Sequence, residues 1–310
     1  MEVVFLGTGG AWALPEHGCL CRTCQNMIRL GEERLRTALF LNGRENILVD
    51  CGPDIRLQLR RNQIQRVDAI LITHGHGDHY IGLDELETFR RCKSRDTWRP
   101  LPVFATDKTW DVIERQFHYL VGNLLEKHVA HPGEPLAGLK TRILPFRTIH
   151  SKSAEGSVGY VFEEFTPEGV KKLVYTSDFV DVEDEDTLLL EEPNVLIIQS
   201  HFFHEPATNR PGHMSLQRAL KFIRKWRPKS RTFLVHLSDA DAIPGDDAND
   251  FLKKVRPTRP MVSPRTGQAY DVPTCQAEWQ ERVDQICRDW GLPYEITVAH
   301  DSLRFCCWSA

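Results

Sequence analysis

Ile70-Leu71-Ile72-Thr73-His74-Gly75-His76-Gly77-Asp78-His79 is the stretch of sequence that decides the fold of this chain. The apolar run at residues 69–72 has the length and side-chain branching of a buried strand, so the three histidines and the aspartate lie on the loop at its C-terminal end. Gly75 and Gly77 let that short loop turn the polar side chains inward. Imidazole and carboxylate ligands suit borderline divalent metals, and we predict a metal site here rather than a surface loop that happens to contain histidines.

Three later strands end in further metal-binding residue types. The predicted strands at residues 142–149, 172–176 and 232–235 run into His150, Asp178 and His236, respectively. Taken alone, each has an ordinary alternative: a structural histidine, or for Asp178 the N-cap of a helix. The predicted hairpin of residues 37–41 and 46–49 likewise ends in Asp50, which either pairs with a buried group or caps the helix predicted over residues 54–62.

A cysteine motif precedes the hairpin. Cys19, Cys21 and Cys24 have C-x-C-x-x-C spacing, which can wrap one ion if a fourth ligand comes from elsewhere in the chain. The alternative is three free structural cysteines.

The histidine stretch resembles the H-x-H-x-D-H signature of the metallo-β-lactamase-fold hydrolases. The resemblance implies an α/β fold, the αββα sandwich in which two mixed β-sheets are flanked by helices, with the site at one edge. It also implies that later strand ends supply the remaining ligands in fixed order. It assigns two divalent ions, Zn or Mn and in some members Fe: His74, His76 and His150 hold one, Asp78, His79 and His236 the other, Asp178 bridges them, and Asp50 supports the loop from behind.

Two cations about 3.5 to 4 Å apart can hold a hydroxide as nucleophile and clamp a phosphodiester, so no Ser or Cys nucleophile is required. The three cysteines, His150-Ser151-Lys152, Ser177-Asp178 and the separate His213 are similar to those of the phosphodiesterases that open phosphoribosyl 1,2-cyclic phosphate in phosphonate breakdown. That similarity implies a structural Zn on the cysteines. It also implies catalytic roles for Asp78 and for His213, which could protonate the leaving alkoxide or bind a phosphoryl oxygen; capping or packing is the alternative for His213.

One position departs from that pattern. Those enzymes supply the fourth ligand of the structural zinc from a histidine three residues after the last metal histidine, where this chain has Asp239. Asp239 can ligate zinc, and His17 and His204 are the alternatives. We call the loop of residues 18–24 with its fourth ligand the cysteine clip.

Three functions compete. The leading hypothesis is a metal-dependent phosphodiesterase that opens a small cyclic phosphate ester. A tRNA 3'-processing nuclease shares the metal site, but it needs a basic RNA-clamping arm that this sequence lacks. A metal-binding accessory or oxidoreductase protein of cofactor biosynthesis is the third, because the B protein of pyrroloquinoline quinone biosynthesis shares the cysteine motif and the Gly-rich loop at residues 7–10. Its metal loop is usually degenerate, whereas every ligand is present here.

Length and composition limit the possible domain organisation, binding partners and cellular location. With 310 residues, 41% of them hydrophobic, we expect one domain over residues 1–310 that carries the clip, a helical flap at 108–137 and an inserted loop at 244–274. The net charge of -4 gives no electrostatic case for nucleic-acid binding, and no apolar run approaches the roughly 20 residues of a membrane span. Nine cysteines and a non-basic N-terminus favour a reduced, cytoplasmic protein. The partner that the resemblance implies is a small-molecule phosphate ester. Base rates favour a homodimer.

Further elements are predicted from periodicity. They are a first strand at residues 2–6, helices at 83–92, 216–226 and 278–290, a short helix at 250–255 and one final strand over 296–305. Ser215 is the predicted N-cap of the second of these helices, and Gly291 ends the third.

Overall fold

Strands and helices alternate through the part of the chain that the computed structural model describes, residues 1–183, 187–208 and 212–308. The central strands are short apolar runs: Ala69–Leu71 and Val195–Gln199 are buried along their whole length, as expected for strands of sheets covered on both faces. In chain order the strands are β1 (Glu2–Gly7), β2 (Ala38–Asn42), β3 (Asn46–Val49), β4 (Ala69–Leu71), β5 (Leu101–Ala105), β6 (Leu125–Val129), β7 (Arg142–Ile149), β8 (Val158–Thr166), β9 (Gly169–Tyr175), β10 (Asp181–Val182), β11 (Val195–Gln199), β12 (Glu205–Pro206), β13 (Arg231–Val235), β14 (Pro257–Arg259), β15 (Glu295–Val298) and β16 (Arg304–Cys306).

The helices connect these strands and cover their outer faces. Several begin and end as their sequences predict: the Ser215 side chain accepts a hydrogen bond from the backbone N–H of Arg218, and Gly291 ends the last helix in the left-handed conformation. They are α1 (Arg22–Leu30), α2 (Ile55–Arg61), α3 (Gly77–Tyr80), α4 (Glu87–Arg91), α5 (Asp107–Phe117), α6 (Thr187–Leu190), α7 (Leu216–Trp226) and α8 (Gln276–Trp290).

Two seven-stranded sheets pack face to face. The first has the order β16-β1-β2-β3-β4-β5-β6 and the second β10-β7-β8-β9-β11-β13-β15, and each mixes parallel and antiparallel pairs. Aromatic side chains fill the space between them, with the rings of Phe5 and Phe233 4.9 Å apart. Helices α2 and α5 cover the outer face of the first sheet, and α7 and α8 that of the second. The architecture is therefore the expected αββα sandwich.

The end of the chain differs from prediction. The single final strand expected over residues 296–305 is wrong, because it is split between the two sheets as β15 and β16. The Asp301 carboxylate accepts hydrogen bonds from the Thr8 hydroxyl (2.7 Å) and the Leu35 backbone N–H (2.6 Å), and Ser302 has a φ of 65°. These contacts turn the chain so that β16 pairs with β1, and the Cys307 N–H donates to the Met1 carbonyl (2.9 Å).

The regions predicted as a flap and as an insertion also contain unexpected structure. Residues 108–137 are not wholly helical, because β6 follows α5 and extends the first sheet beside β5. The short helix predicted at residues 250–255 is wrong: a single 3₁₀ turn, Asp247–Asp250, occurs instead, capped by the Asp246 carboxylate. Phe251 then has extended backbone, and the Lys254 N–H donates to its carbonyl (2.9 Å) to close a separate turn. The same insertion supplies β14, which pairs with β12.

Among the helices in the described ranges, none combines the length and the apolar composition that crossing a bilayer requires.

Candidate metal centre

The histidine loop is clamped between the ends of two parallel strands. Asp50 follows β3 with a positive φ of 63°, and its carboxylate accepts hydrogen bonds from the backbone N–H (2.9 Å) and hydroxyl (3.0 Å) of Thr73. The other carboxylate oxygen lies 2.7 Å from Nδ1 of His79. Gly52 permits this packing, because a methyl group there would lie 2.1 Å from the carbonyl oxygen of Asp78. Asp50 thus fixes the loop and one of its imidazoles.

His74, His76 and His150 converge to form the first half of the centre, with ligand nitrogens within 4.8 Å of one another. Nδ1 of His76 lies 3.2 Å from Nε2 of His150. The remaining nitrogens have fixed partners: the Thr73 hydroxyl for His74 (3.0 Å), the Ser153 hydroxyl for His76 (2.9 Å) and the Gly212 carbonyl for His150 (2.6 Å). Such contacts orient imidazoles for metal binding.

Asp78, His79, Asp178 and His236 form the second half, again with ligand atoms within 4.8 Å of one another. Asp178 faces both halves: its Oδ2 lies 3.0 Å from Nε2 of His236, 3.6 Å from that of His79 and 3.9 Å from that of His150. The structure therefore brings together all seven residues predicted as ligands, and Asp178 lies between the two halves.

Four buried atoms of the centre make no hydrogen bond of acceptable geometry within the described ranges, although two of them, on His79 and His236, lie 3.1 and 3.0 Å from carboxylate oxygens. They are the Nε2 atoms of His74, His79 and His236 and Oδ1 of Asp178. Buried polar atoms are almost always partnered, because desolvation without a partner costs on the order of 1 to 3 kcal/mol each. Imidazole nitrogens and a carboxylate oxygen are also the ligands that zinc and similar metals take. The donor set therefore fits divalent cations.

The protonation states of His74, His76, His150 and Asp178 at neutral pH suit metal binding. Burial lowers the pKa of His74 well below its ordinary value and lowers the pKa of His76 and His150 as well, so these three rings are neutral. Burial alone would raise the pKa of Asp178, but His236 and His79 outweigh it and hold that pKa well below the ordinary value. Neutral imidazoles and an ionised carboxylate are the coordinating forms. His79 differs: burial would lower its pKa, but the carboxylates of Asp78, Asp50 and Asp178 outweigh burial and raise that pKa well above the ordinary value, so this ring releases a proton when it binds a metal.

Sequence reasoning missed Gln199, which ties the ligand loops together. Its side-chain oxygen accepts from the backbone N–H of Phe179 (3.0 Å) and Met214 (3.2 Å), which fixes the amide orientation. The amide nitrogen therefore faces Nδ1 of His213 (2.9 Å) and lies 3.1 Å from Nδ1 of His236. A lone glutamine has no spacing signal, so nothing in the sequence could have identified it.

His213 lies at the edge of the centre, as predicted. Its Nδ1 is 3.7 Å from Oδ2 of Asp178, and its ring stacks on His201 at 4.1 Å between centroids. Because Gln199 donates to Nδ1, the ring proton resides on Nε2. Burial lowers the pKa of His213 to about 3, so the ring is neutral at neutral pH. These facts favour a hydrogen-bond donor over an imidazolium acid.

The cysteine clip forms around Asp239. The sulfurs of Cys19, Cys21 and Cys24 and a carboxylate oxygen of Asp239 lie within 4.8 Å of one another, with Cys21 at the N-cap of α1. Hydrogen bonding with Cys24 lowers the pKa of the Cys21 thiol to about 6 against the effect of burial. Of the three candidates for the fourth position, the structure brings Asp239 to the sulfurs.

The other two candidates lie elsewhere. His204 contacts the Tyr270 carbonyl and the Met261 N–H through its two ring nitrogens, and His17 is exposed. The Gly-rich loop after β1 is also a structural element rather than a phosphate cradle, because the N–H groups of Gly9 and Gly10 donate to the carbonyls of Leu35 and Leu237.

Comparison of the sequence with known proteins identifies a protein family and relatives that match part of their length. A model of the beta-lactamase superfamily domain matches residues 45–237. An octanoyltransferase of Porphyromonas gingivalis is 29% identical over 248 residues, 77% of this chain and 46% of that protein. A ribonuclease Z of Thermococcus sibiricus is 32% identical over 172 residues, 53% of this chain and 48% of that protein. The chain thus spans about half the length of these curated relatives.

Two solved structures have the same fold. One is a diphosphatase from the PhnP family, with a TM-score of 0.72, 24% identity and coverage of 98% of this chain and 97% of that one. The other is Zn²⁺-bound PqqB from Methylobacterium extorquens, with a TM-score of 0.69, 17% identity and coverage of 99% and 100%. At these identities the likeness establishes the fold alone.

Proposed function

The chain belongs to the beta-lactamase superfamily, and from that premise we propose that it is a dinuclear metal-dependent phosphodiesterase acting on a small phosphate ester. The observation that carries the proposal is the convergence of buried atoms of His74, His79, Asp178 and His236 that make no hydrogen bond of acceptable geometry among the described residues. Because ligand atoms lie on both sides of the Asp178 carboxylate, and seven ligands are too many for one tetrahedral ion, we infer two cations rather than one. The substrate class follows the resemblance to enzymes that open phosphoribosyl 1,2-cyclic phosphate.

In this proposal the metal ligands, the residues behind them and His213 have different roles. Two divalent ions held by the seven ligands would lower the pKa of a water molecule and neutralise charge on phosphoryl oxygens. Asp50, Thr73 and the Gly212 carbonyl keep the ligand imidazoles oriented. His213, held by Gln199 with its proton on Nε2, donates a hydrogen bond to a phosphoryl oxygen. No protein nucleophile takes part.

The dimensions and charge of the site support a small substrate. The cavity beside His213 has a volume of about 240 Å³, which lies just below the range of roughly 300 to 1,000 Å³ that is usual for small-molecule sites. The chain carries a net charge of -4, which opposes binding of a polyanion such as RNA.

The test is hydrolysis of bis(p-nitrophenyl) phosphate by protein loaded with Zn²⁺ or Mn²⁺, with metal content measured by elemental analysis. We expect turnover that disappears on chelation and in His76→Ala. His118→Ala is the matched control, because His118 is an exposed histidine outside every metal-binding group of the described residues. Protein carrying two ions in the centre without diesterase activity would contradict the proposal.

A tRNA 3'-processing activity is the second candidate, favoured by the relative named ribonuclease Z. It shares the ligand set but acts on a folded RNA. Incubation of the metal-loaded protein with a precursor tRNA separates the two: endonucleolytic cleavage at the 3' side that exceeds turnover of small diesters would replace the leading proposal with this one.

A further inference from the structure

A cavity opens from the metal centre toward the cysteine clip. His201 and His213 form its inner wall, and Ser238 and Asp239 line the side that faces the clip. Because His213 contacts Asp178, a phosphate held at the centre would have its ester substituent beside this opening. The cavity is therefore placed to receive that substituent.

The outer wall is apolar although the inner wall is polar. Trp12, from the loop after β1, and Leu252, from the insertion, both line the cavity. Trp12 is 70% exposed and Leu252 fully exposed. Among the described residues, the Trp12 indole stacks on no ring and sits beneath no cation. Exposed large side chains at the mouth of a site characterise ligand-binding walls.

The cavity offers no uncommitted positive charge. Lys253 is the one Lys or Arg among its lining residues, and its ammonium contacts the carboxylates of Asp239 and Glu16, the latter at 2.9 Å. Both carboxylates line the same cavity. A substituent bearing a second phosphate or carboxylate would meet two negative charges and one neutralised lysine.

We propose that this cavity is a binding site for the ester substituent of the substrate, and that the substituent is an uncharged, ring-bearing group held between Trp12 and Leu252. The inference rests on the proposed phosphodiesterase function and narrows its substrate class to esters without a second anion at this end, which sets the substrate apart from phosphoribosyl 1,2-cyclic phosphate, whose sugar carries a second phosphate. It also gives the insertion a role, because residues 252–255 complete the wall of the site.

The test measures binding rather than turnover. Isothermal titration calorimetry on Mn²⁺-loaded protein compares phenyl phosphate, methyl phosphate and 4-carboxyphenyl phosphate. We expect phenyl phosphate to bind about tenfold more tightly than the other two, since one aromatic contact is worth about that factor. In Trp12→Ala the phenyl preference should fall to within about twofold. Trp290→Ala, at a half-exposed tryptophan on the C-terminal turn of α8, should retain it.

Each alternative outcome overturns the inference. These outcomes are equal affinities in the wild type, a preference that survives in Trp12→Ala, and tighter binding of the carboxylated ring. A change of molecular mass in Trp12→Ala by light scattering, with the preference intact, would make Trp12 a subunit contact instead. If the protein prefers the ring but hydrolyses no diester, the phosphodiesterase proposal is overturned and the binding site is supported. If it hydrolyses diesters but shows no ring preference, the binding site is overturned and the phosphodiesterase proposal is supported.

Discussion

The metal centre and the cysteine clip are built alike but differ in how their polar atoms are satisfied. Each joins a short local motif to a distant strand end. In the centre, buried nitrogens of His74, His79 and His236 make no hydrogen bond of acceptable geometry in the described part of the protein. In the clip, the thiols of Cys21 and Cys24 lie 3.1 and 3.3 Å from the Asp239 carboxylate, which Lys253 also contacts. Metal loss should therefore disable the centre and loosen the clip.

A four-residue segment joins the two regions. His236 directly follows β13 and lies in the centre, and Asp239, three residues later, lies in the clip. Between them, the Ser238 hydroxyl donates to the His201 carbonyl (2.8 Å), which anchors the segment to the cavity wall. Variants in either region consequently need readouts that separate chemistry from stability.

Asp178→Asn should have the largest effect on the centre. The amide removes the negative charge shared between both halves, and we expect activity to fall at least about 10³-fold, with loss of one or both active-site ions. Measurements of kcat/KM and metal content on the same sample check this. Asp111→Asn, at an exposed position on α5, should change neither quantity. Full activity with two ions retained would exclude a bridging role for Asp178.

Cys21→Ser should mainly affect stability. A structural zinc contributes directly to folding, so we expect the free energy of unfolding to drop by on the order of 3 kcal/mol and zinc content to fall by one ion. Denaturant melts and elemental analysis measure both, with the exposed Cys92→Ser as control. Loss of function with unchanged stability would instead favour an accessory or redox protein that works through the clip.

His213→Ala should reduce activity by about 10²-fold, as for removal of one hydrogen-bond donor to a developing charge. Because the ring is neutral and its proton is on Nε2, the loss should be similar for nitrophenyl and alkyl leaving groups. His213→Gln, whose amide can donate, should recover part of it. A loss confined to alkyl leaving groups would show that His213 protonates the leaving oxygen.

Asp50→Asn should weaken metal binding by about 10- to 100-fold, the usual cost of changing a group behind a metal ligand. The amide can still accept from Thr73, but its NH₂ group cannot accept the proton on Nδ1 of His79. Competition with a fluorescent chelator measures the affinity. Asp68→Asn, at the opposite end of β4, provides the comparison, and equal affinities in the two variants would contradict the assigned role.

The smallest expected effect is a pH dependence of stability caused by Asp301, the residue that turns the chain between β15 and β16. Burial raises the pKa of Asp301 to about 6, so the native state holds this proton more firmly than the unfolded chain. The free energy of unfolding should therefore fall as pH rises from about 4 to 6, by on the order of 1 to 2 kcal/mol. Asp301→Asn should remove that slope while metal content stays constant. An identical slope in the variant would assign the dependence to another group.

The ligands could be predicted from the sequence because each follows a recognisable strand. His150, Asp178 and His236 are separated by tens of residues, yet they follow β7, β9 and β13, which run in the same direction and end at one edge of the second sheet. Their assignment as ligands also needed the resemblance to the H-x-H-x-D-H hydrolases, because each residue taken alone had an ordinary alternative. The helices α7 and α8 could be predicted separately, from the periodicity of their apolar residues.

Features that depend on tertiary contacts escaped prediction. Gln199 acquires its role from two backbone N–H groups and two histidines on separate loops. The break in the final strand depends on Asp301 reaching Thr8 and Leu35, and the cavity combines Trp12 from the loop after β1 with Leu252 from the insertion. None of these contacts has a local sequence signal.

The pairing of β16 with β1 has a consequence for biosynthesis. Val3 pairs with Phe305, so this edge of β1 stays uncovered until all of the residues between the two strands have been synthesised. Until then β1 presents unpaired backbone groups to the cell. Contacts this distant along the chain also slow folding. We expect the nascent protein to depend on chaperones more than the stability of the finished sandwich would suggest.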